Sequence, residues 1–171
     1  MAYLLFMAGL DTVIAGLGFC WKFFAEHPDE RHSIIEDPTK IPGAVEELLR
    51  YTTPVPCGAA RTLLEDVEVG GTTVPQGSKV LGMLISANRD ESVFDRPDDL
   101  DLGREPNRHL TFAFGKHFCL GNQLARLEGQ IAIGELVRRF PDMRLTVPRA
   151  DLRYKPVQAL RGFRSLPLRL R

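Results

Sequence analysis

This sequence of 171 residues has few cysteines and no excess of charge of either sign. Its three cysteines, Cys20, Cys57 and Cys119, lie far apart, and no two have the C-x-x-C spacing. An odd number of isolated cysteines argues against a disulfide framework, so a reducing, cytoplasmic location is the simplest expectation. Because the formal net charge is zero, there is no electrostatic reason to expect nucleic acid or another polyanion as a partner.

The apolar N-terminal segment, residues 1–24, lacks the flanking features of a signal peptide. A signal peptide would have a basic segment before its apolar run and small residues at a cleavage site after it. Asp11 lies near the middle of the run, where a carboxylate costs roughly 2.5–3.5 kcal/mol in a bilayer. We therefore expect a helix over about residues 1–25 that is buried in protein, in preference to a membrane span.

The rest of the chain has the composition of an ordinary globular protein, with 44% hydrophobic and 26% charged residues. No repeat, low-complexity tract or linker divides it. Periodicity and turn signals predict two more helices, four short strands, a helical turn, an irregular segment, another long helix and a tail of short strands. In chain order these span residues 27–37, 42–53, 59–63, 67–69, 72–74, 79–84, 86–90, 91–110, 121–139 and 143–171.

The stretch around Cys119 carries the clearest chemical signal. Gly115 permits a turn that residues with a side chain resist, and Gly121 lets the backbone pass close to a flat ligand. The helix predicted to follow places its N-terminal end near the sulfur, which favours negative charge there. Phe112 and Phe118 provide apolar cover. These features suit a thiolate that binds a metal. There are two alternatives: Cys119 could be a nucleophile, for which His117 is the only nearby base, or it could be a buried structural cysteine.

The pattern F-x-x-G-x-x-x-C-x-G in this stretch resembles the haem-binding signature of the cytochromes P-450. Phe112, Gly115, Cys119 and Gly121 occupy its defined positions. The resemblance implies a haem b cofactor with Cys119 as its axial thiolate ligand. Phe112 and Gly115 would shape the loop, and Gly121 would let the backbone approach the sulfur. It also implies a mainly α fold with small β-sheets (α+β).

Near the N-terminus, residues 8–12 read A-G-L-D-T and resemble the family's central distal helix, whose pattern is A/G-G-x-D/E-T. There, Asp11 and Thr12 would deliver protons during reduction of dioxygen. Taken without the cysteine loop, the same residues would be read as a helix with one satisfied polar pair.

Glu47 and Arg50 resemble the family's E-x-x-R motif. Their spacing of three residues puts both charges on one helix face, which is common on surface helices and weak evidence alone. In the family, the pair is joined by an arginine from the irregular segment before the cysteine. Arg104 is the best candidate, with Arg108 the alternative, and the role of the three residues would be to support the fold.

Two cations match positions that contact haem propionates in the family. His117 lies two residues before the cysteine, and Arg61 lies at the start of the first predicted strand region. A cation opposite a carboxylate is a favourable pairing. The alternatives are a loop-capping side chain for His117 and a solvated edge residue for Arg61. His109 is a candidate to support the loop.

The tail, residues 160–167, resembles the C-terminal hairpin of bacterial members, so the likeness spans nearly the whole chain. Residues 1–171 are therefore expected to be the C-terminal part of a single P-450 domain that begins at the distal helix. The N-terminal helices and much of the substrate pocket would be missing. A truncated reading frame is the preferred explanation, ahead of a split protein completed by another chain. The first helix would then expose apolar surface.

The resemblance implies a monooxygenase that inserts one oxygen atom of O₂ into a small, hydrophobic organic substrate. Electrons would come from a ferredoxin-like donor that docks on the cysteine side, near Lys116; no nucleic acid or membrane partner is expected. Two alternatives stay open for a shortened chain. It could bind haem without catalysing a reaction, or it could be a remnant that binds nothing.

Overall fold

A computed structural model describes residues 2–157 and 159–171 as five α-helices and three small antiparallel sheets. The helices are α1 (Ala2–Glu26), α2 (Pro28–Glu36), α3 (Ile41–Thr52), α4 (Leu84–Ala87) and α5 (Asn122–Arg139). The strands are β1 (Arg61–Thr62), β2 (Val67–Val69), β3 (Thr72–Val74), β4 (Lys79–Val80), β5 (Arg144–Leu145) and β6 (Leu168–Arg169). The sheets pair β1 with β4, β2 with β3, and β5 with β6. The expected mainly α fold with small sheets is confirmed.

Several strands are shorter than the sequence predicted. The strand expected over residues 59–63 is β1, and the one expected over residues 79–84 is β4, each of two residues. Beyond β1 and β4, the two segments are joined only by single backbone hydrogen bonds, such as that from the Gly58 N–H to the Gly82 carbonyl at 2.9 Å. Both of these residues are glycines, which have no side chain to pack across the pair and weaken a strand. Leu84 therefore begins α4 instead of ending a strand, and the helical turn expected over residues 86–90 starts earlier.

The tail also contains less β-structure than expected. Outside β5 and β6, the described tail has one isolated antiparallel bridge, between Tyr154 and Phe163. Pro148 precedes a short 3-10 turn, Arg149–Asp151. The tail is held on α1 by packing, since the Phe163 ring lies 4.9 Å from the Phe19 ring between centroids. Between α4 and α5, the irregular segment contains only turns, and the cysteine loop after it contains one 3-10 turn, Gly115–His117.

The core lies where the second half of α1 meets α2, α3 and α5. Its most deeply buried apolar side chains come from all four helices: Phe24, Ile34, Ala44, Leu48 and Ile133. Helices α3 and α5 approach closely at Gly129, where an added Cβ would lie 3.2 Å from a Val45 methyl. A glycine in this position of α5 is therefore explained by packing, despite its cost of about 1 kcal/mol in a helix.

The first helix is buried in its second half, and its first half exposes the apolar surface that was expected of it. Phe19, Phe23 and Phe24 are buried, whereas Tyr3 and Phe6 are 77% and 64% exposed. The stretch Phe6–Glu26 is long and apolar enough to cross a membrane by length and composition. One such helix near an N-terminus is weak evidence of a membrane span, because core helices of other proteins are also this long and apolar. Its second half packs in the core of this protein.

Two isoleucines on α5 allow a direct test of this core. Ile133 is fully buried and Ile131 is 58% exposed. We expect Ile133→Ala to lower the free energy of unfolding by about 2–5 kcal/mol, because it leaves a cavity among α1, α3 and α5. Ile131→Ala should change it by no more than about 0.5 kcal/mol. Urea denaturation followed by circular dichroism measures both; equal effects would contradict the described core.

Candidate functional site around the Cys119 loop

The segment before α5 folds into a closed loop with Cys119 at its end. The Cys119 N–H donates to the Phe112 carbonyl at 3.0 Å, which joins the two ends. Inside the loop, the Phe118 N–H donates to the Gly115 carbonyl at 3.0 Å. Gly115 has a φ of 75°, in the left-handed region that glycine adopts readily. Ala113 has a φ of 60°, which is uncommon for a residue with a Cβ and stores backbone strain next to the cysteine.

The Cys119 thiol is free and partly exposed. Its neighbours Phe118 and Leu120, with Phe114, are large apolar side chains that project into solvent, and Phe114 is 85% exposed. In the described part of the chain, the N–H groups of Leu120 and Gly121 donate no hydrogen bond. The loop therefore combines a sulfur ligand, free N–H donors and an apolar surface, and these are the features that a flat, apolar, metal-bearing cofactor requires.

Cys20 is a clear contrast. It is buried in the core beside α2 and α5. Burial raises the pKa of its thiol to about 12, because a thiolate would lose its hydration there. Cys20 is thus a neutral core side chain and unsuited to ligate a metal.

Gly121 immediately precedes α5 and faces open space. Its φ is −86°, a value open to any residue. A Cβ added there would meet no atom within 4 Å. Neither the backbone conformation nor packing within the described chain requires a glycine at this position, so the space beside it is available to a ligand.

Beneath the irregular segment, the Glu47 carboxylate is fully buried and accepts hydrogen bonds from four residues. Arg50 donates twice, Nε to Oε2 and an Nη to Oε1, both at 2.8 Å. Arg104 Nε lies 3.1 and 3.2 Å from the two oxygens. The Asp101 N–H and the Asn107 side-chain amide complete the set at 3.0 Å each. Glu47, Arg50 and Arg104 are thus brought together, whereas the alternative, Arg108, is exposed.

The two arginines extend this network into the irregular segment. Arg50 donates to the carbonyl groups of Asn88, Pro97 and Asp99. Arg104 donates to carbonyl groups of the same segment, among them that of Asp95 at 2.7 Å. The carbonyl groups of this segment have no hydrogen-bond partner in a helix or strand, so the side chains of Arg50 and Arg104 provide one. Burial raises the pKa of Glu47, but the hydrogen bonds from Arg50, Asp101 and Arg104 outweigh it and hold that pKa below its usual value.

A second network, centred on Glu46, was not predicted from the sequence. Glu46 accepts from His109 Nε2 at 3.0 Å and from Arg126 Nε at 2.7 Å. Arg126 also donates to the Asn122 side-chain oxygen at 2.8 Å, and the Asn122 amide donates to the Cys119 carbonyl at 2.7 Å. The one feature of the sequence that could have indicated this network is the spacing of four residues between Asn122 and Arg126, which puts them on one face of the helix after the cysteine.

Asn88 is another residue that the sequence analysis missed. It is fully buried, and its side-chain amide donates to the hydroxyl groups of Thr53 and Thr111 at 3.0 and 2.9 Å. Its side-chain oxygen accepts from the Leu110 N–H at 2.7 Å. Asn88 therefore joins the end of α3 to the start of the cysteine loop. Its position directly after the four-residue helix α4 gave no signal of this role.

The structure keeps Asp11 and Thr12 on the exposed part of α1. The Thr12 hydroxyl donates to the Ala8 carbonyl at 2.6 Å, one turn earlier in the helix. Gly9 lies beside it, and a Cβ there would meet nothing within 4 Å. The Asp11 side chain is exposed. Both polar groups therefore lie at a surface from which a ligand could be reached.

Arg61 and His117 are both exposed. Arg61 makes only long contacts to the carbonyl groups of Ala59 and Ala60, at 3.5 and 3.4 Å. Among the residues described, neither Arg61 nor His117 has a carboxylate within ion-pair distance. Both side chains are thus available to an external anion.

Comparison with known proteins places these features in one family. The family model "Cytochrome P450" matches residues 2–149. Cytochrome P450 107B1 of Saccharopolyspora erythraea is 42% identical over 169 residues, which cover 99% of this chain and 42% of that protein. The polyketide biosynthesis cytochrome P450 PksS of Bacillus subtilis is 44% identical, with coverages of 99% and 42%. The chain thus spans less than half the length of these relatives.

Comparison with solved structures gives the same family. The tirandamycin C-bound P450 monooxygenase TamI superimposes with a TM-score of 0.96 at 41% identity, covering all of this chain and 43% of that one. The structure of PksS gives a TM-score of 0.93 at 43% identity, covering 98% of this chain and 43% of the other. The fold and the sequence are those of the haem-thiolate class, whose members hold haem b through a cysteine thiolate and act as monooxygenases. This chain belongs to the cytochrome P450 family.

Glu47 provides a test of the buried network. We expect Glu47→Gln to lower the free energy of unfolding by about 3–5 kcal/mol, because it leaves two buried guanidinium groups without a counter-charge. Glu135→Gln is the matched control: Glu135 also pairs with two arginines, Arg138 and Arg139, but on the surface of α5. The control should leave the urea midpoint unchanged. A Glu47→Gln protein as stable as the control would contradict the described network.

Glu46 predicts a specific acid sensitivity. Burial raises the pKa of Glu46, but hydrogen bonds from His109 and Arg126 outweigh it and lower that pKa from 4.5 to about 2. A depressed pKa in the folded state stabilises the protein above pH 4.5, and this stabilisation, at most about 3 kcal/mol, is lost as the pH falls from about 4.5 to 2. Glu46→Gln should therefore flatten the stability curve in that interval.

Urea denaturation at a series of pH values measures this effect. Glu36→Gln, a change at an exposed carboxylate outside the described ion pairs, should leave the curve as in the unchanged protein. An unaltered curve for Glu46→Gln would show that Glu46 is not stabilised by His109 and Arg126.

Proposed function

We propose that Cys119 supplies the thiolate ligand of haem b and that the protein is the C-terminal part of a haem-thiolate monooxygenase. The observation that carries the proposal is the loop itself: a free, partly exposed thiol at the end of a closed loop. Neighbouring residues of the loop carry free N–H groups and projecting apolar side chains. When bound, haem b would supply the activation of dioxygen.

Around the sulfur, the loop residues would hold the haem in place. Phe112 and Gly115 shape the loop, the first through its bond to Cys119 and the second through its left-handed turn. The open space beside Gly121 would admit the edge of the macrocycle. Exposed Arg61 and His117 would each donate to a propionate, which provides the carboxylate that neither has among the described residues.

Asp11 and Thr12 would handle protons on the opposite face. The Thr12 hydroxyl donates into its own helix, so its oxygen can still accept a hydrogen bond from a ligand or water. The Asp11 carboxylate precedes it in the chain and is exposed at the surface. The set of Glu47, Arg50 and Arg104 would serve the scaffold, because it satisfies the backbone of the irregular segment and because its Glu47–Arg50 pair is fully buried.

The substrate would be a small, hydrophobic organic molecule, and the electron donor would be a ferredoxin-like protein that docks beside exposed Lys116. Relatives support the substrate class: one is a vitamin D(3) 25-hydroxylase, at 41% identity, and another is a 6-deoxyerythronolide B hydroxylase, at 39%. Three free cysteines support a reducing, cytoplasmic location.

A second function, haem binding without catalysis, is favoured by the exposed first half of α1. Phe6 and Ile14, on either side of the Asp11–Thr12 pair, are 64% and 53% exposed. A proton relay open to bulk water would not exclude side reactions. Haem binding without oxygen-dependent turnover of any substrate would support this second function.

The absorption spectrum of the reduced, haem-loaded chain under carbon monoxide tests the ligand. We expect the strongly red-shifted Soret band of a thiolate complex, and we expect Cys119→Ser to abolish it because a hydroxyl is a poor ligand for this iron. Cys57→Ser, at a second partly exposed cysteine, should retain the band. Persistence of the band in Cys119→Ser, or its absence when the unchanged chain has bound haem, would refute ligation by Cys119.

A further inference from the structure

One carboxylate of α3 holds both flanks of the cysteine loop. Glu46 accepts from His109, which precedes the loop, at 3.0 Å. It also accepts from Arg126, which follows the loop on α5, through Nε at 2.7 Å and an Nη at 3.0 Å. The contact with Arg126 is a two-pronged fork, the geometry that fixes a guanidinium most firmly relative to a carboxylate. The two flanks are thus held to a single point on a core helix.

The restraint reaches Cys119 through one further side chain. The remaining Nη of Arg126 donates to Asn122 Oδ1 at 2.8 Å, and Asn122 Nδ2 donates to the Cys119 carbonyl at 2.7 Å. Asn122 is 9% exposed, so water does not readily replace either bond. The Cys119 peptide is therefore fixed by a chain of three hydrogen-bonded side chains that begins at Glu46.

The same two side chains also fix the other end of the loop. The Arg126 guanidinium lies 4.5 Å from the centroid of the Phe112 ring, and the His109 ring lies 5.9 Å from it. Contact between a guanidinium and an aromatic face is attractive. Phe112 in turn accepts the Cys119 N–H. Glu46 therefore acts on the N–H and on the carbonyl of Cys119, through different partners.

We propose that Glu46 is a positioning residue for Cys119, which it holds through Arg126, Asn122 and His109. Its significance for a metal ligand rests on the proposed function, but the restraint belongs to this chain and exists without the cofactor. Glu46 is adjacent to Glu47 in sequence, yet the two serve different targets. Glu47 satisfies the irregular segment, and Glu46 secures the loop.

Hydrogen exchange of the haem-free chain tests the restraint. The Cys119 and Asn122 amides are hydrogen-bonded within the loop. We expect Glu46→Gln to speed their exchange about tenfold or more, because hydrogen bonds to a charged group contribute roughly 1.5–3 kcal/mol. Exchange in the second half of α1, which this network does not touch, should rise by no more than the loss of global stability measured by urea denaturation. Glu135→Gln, at an exposed carboxylate that also pairs with two arginines, is the matched control and should have no effect on the loop.

Two further variants separate the links of the chain. Asn122→Ala should speed exchange at Cys119 and Asn122 only, because it removes the last link and keeps the Glu46–His109 contact. Arg126→Lys should behave like Glu46→Gln, since a lysine keeps the charge but cannot form the fork. Unchanged loop exchange in all three variants would overturn the proposal. Equal acceleration in the loop and in α1 would also overturn it, because that result would mean a general loss of stability.

With haem bound, the reduction potential and the carbon monoxide spectrum extend the test. We expect Glu46→Gln to shift the potential and lower the thiolate-band fraction, with Glu135→Gln unaffected. If the unchanged chain binds haem without a thiolate band, the proposed function fails while the exchange result still decides the restraint. If the band and the potential are the same in Glu46→Gln and the unchanged chain, the positioning role fails while the proposed function stands.

Discussion

The buried Glu47 carboxylate is the constraint on which the rest of this structure depends. Removing a carboxylate from water is costly unless opposite charge and hydrogen bonds replace the lost hydration. Arg50 on the same helix supplies part of this replacement, and Arg104, Asp101 and Asn107 supply the remainder from a segment without helix or strand. The segment is therefore held in one conformation against α3, and the cysteine loop that follows it starts from a defined position.

Helix α3 organises the site because its two consecutive glutamates bind different parts of the chain. Glu47 is fully buried, and Glu46 is partly exposed at the edge of the core. Close packing of α3 on α5, with Val45 against Gly129, brings Arg126 within reach of Glu46. Core packing thus decides where the residues after the cysteine lie, and the polar network then fixes the loop between them.

Much of this could be anticipated from local patterns. The helix bounds followed from periodicity and proline positions, and the cysteine loop from a compact motif in which Gly115 needs a left-handed backbone. The pairing of Glu47 with Arg50 followed from their spacing, but Arg104 was identified only through a family resemblance. Strand lengths were overestimated, because alternating side chains do not reveal where pairing ends, as at Gly58 and Gly82. The left-handed Ala113 gave no signal at all.

By itself, the sequence determined the elements, the cysteine loop and the family to which the chain belongs, because each depends on residues close together in the chain. Only the tertiary structure decided which charges meet. Glu47 and Arg104 are 57 positions apart, and Glu46 and Arg126 are 80 apart. Their pairing depends on how α3, α5 and the irregular segment pack, and on which side chains that packing removes from water. The spacing of residues along the chain does not encode this packing or the burial that results from it.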